Sequence, residues 1–287
     1  MAVHDSFLVR AGRVLALDAH ISRMAAAIGW ERGRVGSEYA ELLLAVEAER
    51  DSEEHAGTAD RVPEEHAGTA DRVPEAPGWF FPLVTFDDGA LAFQLRPFEP
   101  HALRTDASLW TCAEPDTRTA PTLKGPDFPL QHHWRAQAQR AGADEAVLVD
   151  RDGFVREGAF SSIVHWRAGA LCVAATQERL PSVTEAAVTR AVQADGIPVT
   201  RCDARVDEIR SADEVWILSS LHGIRVVHTW DGKPVPAQGR ARRYRERLLA
   251  MERAASAWLA DLEGGTAGGS GGPMMTNRDR LGKEAAG

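Results

Sequence analysis

The stretch from Thr122 to Gly158, TLKGPDFPLQHHWRAQAQRAGADEAVLVDRDGFVREG, sets a lone lysine before a helix and a tight pair of strands. Gln131 to Ala141 has helical character, Glu145 to Val149 is a strand, and Asp150 to Gly153 is a turn. Val155 then opens a return strand that carries Glu157-Gly158. Lys124 stands just past Glu114 to Pro121, a run rich in Pro, Asp and Thr that reads as a linker. Ligand clefts form where two packed units meet. The stretch therefore predicts an α/β chain in two domains with an ionisable amine at their junction: a small N-terminal domain over 1–114, a linker over 115–123 and a larger domain over 124–262.

Composition sharpens the reading of that amine. Of 33 basic residues only Lys124, Lys233 and Lys283 are lysines. Arginine has replaced lysine almost wherever a positive charge alone would serve. Lys233 falls in the turn Asp231-Gly232-Lys233-Pro234 and Lys283 in a polar, glycine-bearing tail, both ordinary surface settings. Lys124 has no such setting. A lysine can be desolvated to a neutral nucleophile, which a guanidinium cannot become.

The remaining composition excludes several classes. At 287 residues, 44% hydrophobic and 26% charged, the chain can bury a sizeable core. No apolar run predicts a membrane span, and Asp5 and Arg10 interrupt the start where an export signal would be apolar, so a cytoplasmic protein is expected. The formal charge of -9 argues against a nucleic-acid partner, and the basic run Arg240 to Arg247 reads as a solvated helix face. Cys112, Cys172 and Cys202 are scattered and lack CxxC spacing, which argues against a disulfide framework or a zinc site.

Outward from the central stretch, Ser6 to Leu17 reads as two short strands around a glycine-bearing turn. His20 to Ile28 and Ser37 to Glu49 read as helices, with Gly33 and Gly36 interrupting them. EHAGTADRVPE occurs twice in tandem, over Glu54 to Glu64 and Glu65 to Glu75, with almost no large apolar side chains; a mobile surface insertion over 52–77 is expected. Trp79 to Phe86 and Leu91 to Leu95 form a predicted hairpin around Asp87-Asp88-Gly89. Downstream, strands are expected through Val164 and at Leu171 to Ala174. After Pro181, Ser182 and Glu185 form a capping box for a helix running to Val192. Strands at Pro198 to Arg201 and Glu214 to Leu218, a helix from Arg242 to Leu262 and a disordered tail over 263–287 complete the prediction.

The order of Thr122-Leu123-Lys124, a helix, Ala143-Asp144-Glu145-Ala146-Val147-Leu148-Val149 and Val155-Arg156-Glu157-Gly158 resembles the class IV aminotransferases. That family includes branched-chain and D-amino-acid aminotransferases and 4-amino-4-deoxychorismate lyase. The resemblance implies a two-domain α/β fold of the D-amino-acid aminotransferase type, with pyridoxal 5'-phosphate in the cleft between the domains, and a homodimer. It assigns Lys124 to bonding the cofactor and shuttling a proton, and Glu157 to the pyridine nitrogen. His20-Ile21-Ser22-Arg23 resembles the family's HxxR, making Arg23 a phosphate cation. Ser182-Val183-Thr184 resembles its phosphate turn, so Val183 and Thr184 are cofactor contacts. Ser219-Ser220 matches its hydroxyl pair.

For substrate, Arg96 falls where family members often place a carboxylate-binding arginine, and His222 and Arg225 are further candidates for lining the cleft. Ala159-Phe160-Ser161-Ser162 and Asp127 depart from the usual family residues and bear on substrate choice. The implied activity is amino-group transfer with a small amino substrate. A lyase that eliminates pyruvate and a catalytically silent binding protein remain the alternatives.

Overall fold

The computed structural model describes residues 1–59 and 78–266. The chain opens with β1 (Val3–Ser6), β2 (Val9–Arg10) and β3 (Arg13–Val14), then α1 (Leu17–Ile28) and α2 (Arg32–Ala59). Next come β4 (Trp79–Phe80), β5 (Leu83–Asp87) and β6 (Ala90–Gln94). The expected single strand from Trp79 to Phe86 is two, broken at Phe81-Pro82, since proline cannot donate to a ladder. The break has a counterpart across the pairing. β1 pairs antiparallel with β5 while β2 pairs with β4, so the two chain segments pass together from one small sheet to the next.

Helix α2 runs straight through Gly33 and Gly36, which the sequence reading took as interruptions. Val35, Tyr39, Leu42, Leu43 and Val46 recur on one face and are buried against Ile21, Met24 and the small sheets. That burial outweighs the roughly 1 kcal/mol per glycine lost to backbone entropy. The helix also continues to Ala59, into the first copy of the repeat, where an insertion had been expected from residue 52. The rest of the repeat insertion lies outside the described residues.

The chain crosses to a nine-stranded sheet after Gln94. Its first strand there, β7 (Asp106–Thr111), was not recognised in sequence and enters before the segment read as the linker. It is followed by α3 (Phe128–Arg140), β8 (Glu145–Val149), β9 (Val155–Gly158), β10 (Ser162–Arg167), β11 (Ala170–Ala174), α4 (Val183–Ala194), β12 (Val199–Cys202), α5 (Val206–Arg210), β13 (Glu214–Ser219), β14 (Gly223–Trp230) and β15 (Lys233–Pro234). The sheet's order is β12-β11-β10-β13-β14-β7-β8-β9, with β15 paired beside β14, and the turn from β9 to β10 is closed by the Gly158 amide, which donates to the Ser161 carbonyl at 2.7 Å. One face packs under α4 and α6 (Ala241–Met251) through Trp166, Trp216 and Tyr244; the other encloses Leu109, Val147, Ile217 and Trp230.

Two expectations change at the C-terminal end and in the sheet. The helix read over Arg242 to Leu262 is interrupted by β16 (Arg253–Ala254), which pairs with β3, before α7 (Ala255–Thr266). Glu252 is extended there and pairs with Arg10 at 3.5 Å, and the Ala255 amide donates to Gly12 at 2.8 Å, which anchors the break. Residues beyond Thr266, including most of the expected disordered tail, lie outside the described residues. The cysteines, scattered in sequence, are in part gathered by strand pairing: Cys172 and Cys202 lie beside His165.

Trp216 is fully buried, so Trp216→Ala should lower stability by about 3–5 kcal/mol in urea unfolding. Leu249→Ala, at a 41% exposed position, should stay within about 0.5 kcal/mol. Equal losses would contradict this placement of the core.

Candidate active site

Lys124 is held from both sides by β1. The His4 amide donates to the Lys124 carbonyl at 2.7 Å, and the Lys124 ammonium donates to the Ser6 hydroxyl. The turn behind the lysine requires Gly125: its φ is +129°, and a Cβ would meet the Ala2 carbonyl at 2.7 Å. The linker is strapped down as well. Asp127 accepts from the Thr119 amide and hydroxyl and from the Ala120 amide, which accounts for an acid at that position.

Beneath the amine lies Asp5, 1% exposed and 4.0 Å from Nζ. Its carboxylate accepts from the Ser6 amide at 2.8 Å, His20 Nδ1 at 3.0 Å, the Tyr39 hydroxyl at 3.1 Å and the Arg23 guanidinium. Burial raises its pKa, but Arg23 and His20 outweigh burial and hold the carboxyl well below the usual range. Burial pulls His20 the other way, toward the neutral ring. For Lys124, desolvation is the largest influence; Asp5 opposes it and the cations Arg23 and Arg96 add to it, bringing the amine down to about 8.

Glu157, on β9, is also buried. Arg118 bridges it to Asp116, with Nη1 2.8 Å from Glu157 Oε1 and Nη2 2.8 Å from Asp116 Oδ2. The Leu180 amide donates to the same Oε1 at 3.1 Å, and no hydrogen bond to Oε2 is found among the described residues. Burial raises Glu157 to about 7 against the pull of Arg118. Gly158 has no room for a side chain, since a Cβ would crowd Ser161 Oγ and lie 3.0 Å from Glu145 Cγ.

The third element is the start of α4. Ser182 Oγ accepts from the Glu185 amide at 3.2 Å, as expected of the cap, but the Glu185 carboxylate turns to Arg179 at 2.6 Å and does not close the box. The Val183 and Thr184 amides have no protein acceptor among the described residues. Arg23 Nη1 donates to Pro181 O at 3.2 Å, which fixes a cation beside this helix start.

The predicted residues divide among neighbouring spaces. Val183, Thr184, Ser219, Ser220 and His222 line a cavity of about 160 Å³. Arg23 and Val183 border a larger cleft of about 1000 Å³ that includes Thr122, Leu123 and Leu180. Lys124, Glu157 and Arg96 line neither, although Arg23 and Arg96 both act on the Lys124 charge. Arg96 spends Nε on the Phe81 carbonyl at 2.8 Å. His222 accepts at Nδ1 from the Arg104 amide at 3.3 Å, and burial lowers its pKa to about 4. Arg225 is buried near Glu145 and outside both spaces.

Sequence reasoning missed Asp5, Ser6, Tyr39 and Arg118. The available signals were an acid set just before the apolar run Phe7-Leu8-Val9 and an Asp116-Thr117-Arg118 pairing within the linker.

The amino-transferase class IV family profile matches residues 2–230. The chain belongs to the class IV aminotransferase family. It is 26% identical over 126 residues to a branched-chain-amino-acid aminotransferase of Escherichia coli K12, covering 44% of this chain and 41% of that protein. Across the curated relatives it matches, the alignment spans less than half of their length, 18% for an Arabidopsis thaliana protein. A fold IV-transaminase from Curtobacterium pusillum superposes with a TM-score of 0.67 at 20% identity, over 87% of this chain and 86% of that one. A structure assigned to 4-amino-4-deoxychorismate lyase gives 0.64 at 18% identity, over 86% and 89%. These likenesses establish the fold. Among the described residues no helix is long and apolar enough to cross a membrane.

The Lys124 environment has a direct consequence for pH. Burial favours the neutral amine, so between about 8 and the ordinary 10.5 the folded protein holds a neutral amine where the unfolded chain holds an ammonium, and stability rises with pH across that window. Labelling of Lys124 by an amine-specific reagent, followed by peptide mass spectrometry, should rise with a midpoint near pH 8. Asp5→Asn should lower the midpoint further, because it removes the anion that favours the charged form. A wild-type midpoint near 10.5 would show a solvated lysine.

Proposed function

We propose that this chain is a pyridoxal 5'-phosphate-dependent aminotransferase acting on a small amino acid or amino-acid-like substrate. The observation that carries the reading is the half-buried Lys124 amine, brought to about 8 beside Asp5 and Arg23 in a member of this family. The surrounding residues fit the cofactor. An aldehyde needs a neutral amine, a pyridine nitrogen needs an acidic partner and a phosphate needs amides and a cation. Lys124, Glu157 with Oε2 free of hydrogen bonds among the described residues, and the Val183 and Thr184 amides beside Arg23 supply these in turn. Ser219 and Ser220 add hydroxyls from the end of β13.

When bound, pyridoxal phosphate supplies the electron sink for the carbon that loses a proton. Lys124 Nζ would hold the cofactor through its neutral amine and would be the base that moves the substrate's α proton. Glu157, kept in place by Arg118 and the Leu180 amide, would be the acidic partner of the ring nitrogen. Arg23 and the α4 N-terminus would hold the phosphate. Arg96 and His222 are the groups that orient the substrate carboxylate. A cytoplasmic homodimer belongs to the same reading and is supported by family membership alone.

Purified protein incubated with the cofactor and a panel of amino donors with 2-oxo acid acceptors tests the proposal, with aminodeoxychorismate assayed alongside. Transfer is expected, and it should be lost in Lys124→Ala. Pyruvate release without an acceptor would replace transfer with the lyase reaction, and inactivity on all substrates would favour a binding protein. Glu157→Gln should keep cofactor binding and lower kcat by about 10²-fold or more, the scale of a proton-handling group. Arg23→Ala should instead weaken cofactor affinity and be partly restored by added cofactor. Full kcat in Glu157→Gln at saturating cofactor would remove the residue from the mechanism.

A further inference from the structure

His165, Cys172 and Cys202 place their donor atoms within 4.8 Å of one another. They come from three adjacent strands of the large sheet. His165 is directly opposite Cys172 across the β10–β11 pair, and Cys172 is opposite Thr200 on β12, two residues before Cys202. Strand alternation puts all three on one face. The opposite face, through Val164, Trp166, Leu171 and Val173, is the one packed under α4 and α6. His165 and Cys172 are buried, whereas Cys202 is half-buried and leaves an entry from solvent. No hydrogen bond to the His165 ring is found among the described residues, and the Cys172 sulfur accepts from the Thr200 hydroxyl at 3.3 Å and shares a side-chain hydrogen bond with the Cys202 thiol. Arg167, Glu208 and Asp203 are the charged neighbours.

We infer that these three residues form a zinc site. Two thiolates and one imidazole suit a soft to borderline divalent ion, and three protein ligands with a solvent molecule complete a tetrahedron. Metal–sulfur and metal–nitrogen bonds of about 2.3 and 2.0 Å set ligand edges of roughly 3.5–3.8 Å, so the cluster needs to contract by about 1 Å, within reach of rotamer changes. On binding, each thiol gives up its proton to solvent and the two sulfur charges balance the ion. The site is separate from Lys124 and does not depend on the proposed activity.

The test uses the reduced full chain, stripped with a chelator and titrated with Co²⁺ as a spectroscopic probe. One equivalent should produce a thiolate-to-metal charge-transfer band that Zn²⁺ displaces. Cys172→Ser and Cys202→Ser should each lose the band, while Lys124→Ala keeps it. Zn²⁺ should also protect Cys202 of the unaltered chain from alkylation, a readout that holds even where a variant fails to fold. Absence of the band, its persistence in a folded Cys202→Ser, or equal alkylation with and without Zn²⁺ would overturn the inference.

Discussion

The buried carboxylate of Asp5 is the interaction on which the candidate site rests. Its acceptors are filled from three directions: by its own strand through the Ser6 amide, by α1 through His20 and Arg23, and by α2 through Tyr39. A desolvated carboxylate without such partners would be costly. Satisfied this way, it locks β1 to both helices and leaves a fixed negative charge 4.0 Å from Nζ. Asp5 and desolvation act in opposite senses on the amine. With Arg23 and Arg96 adding to desolvation, the balance brings it to about 8, low enough to supply a nucleophile yet within reach of protonation.

A second buried charge network serves the other end of the site. Asp116, Arg118 and Glu157 are each almost fully buried, and Arg118 sits between the two acids. The linker that supplies Asp116 and Arg118 is pinned along β8, where the Asp116 amide donates to the Val149 carbonyl. One segment therefore carries the lysine at its end and the guanidinium that positions Glu157 in its middle. The spacing between amine and carboxyl follows from how that segment is tied to the large sheet.

The central stretch from Lys124 to Glu157 was legible because each signal was local: a helix, a strand, a turn and a strand, each with its own residue chemistry. Ser182 as a cap was legible for the same reason. Strand β7 was missed because its neighbours in the sheet, β14 and β8, lie far along the chain, and a six-residue run gives no local periodicity to match. The glycines of α2 misled because propensity is a weak local influence and the buried Tyr39 and Leu42 face is a tertiary one. Asp5 and Arg118 escaped because their local signals, an acid before an apolar run and an Asp-Thr-Arg spacing, take on meaning only once the partner's position is known. The cysteine cluster escaped because it depends on strand register.

Lys124 is the residue proposed to bond the cofactor, and the chain offers only Lys233 and Lys283 as other side-chain amines. Borohydride reduction of the protein loaded with pyridoxal phosphate, followed by peptide mass spectrometry, locates the bond. A single reduced adduct on Lys124 is the predicted result. An adduct confined to Lys233 or Lys283, or none at all at saturating cofactor, would contradict it.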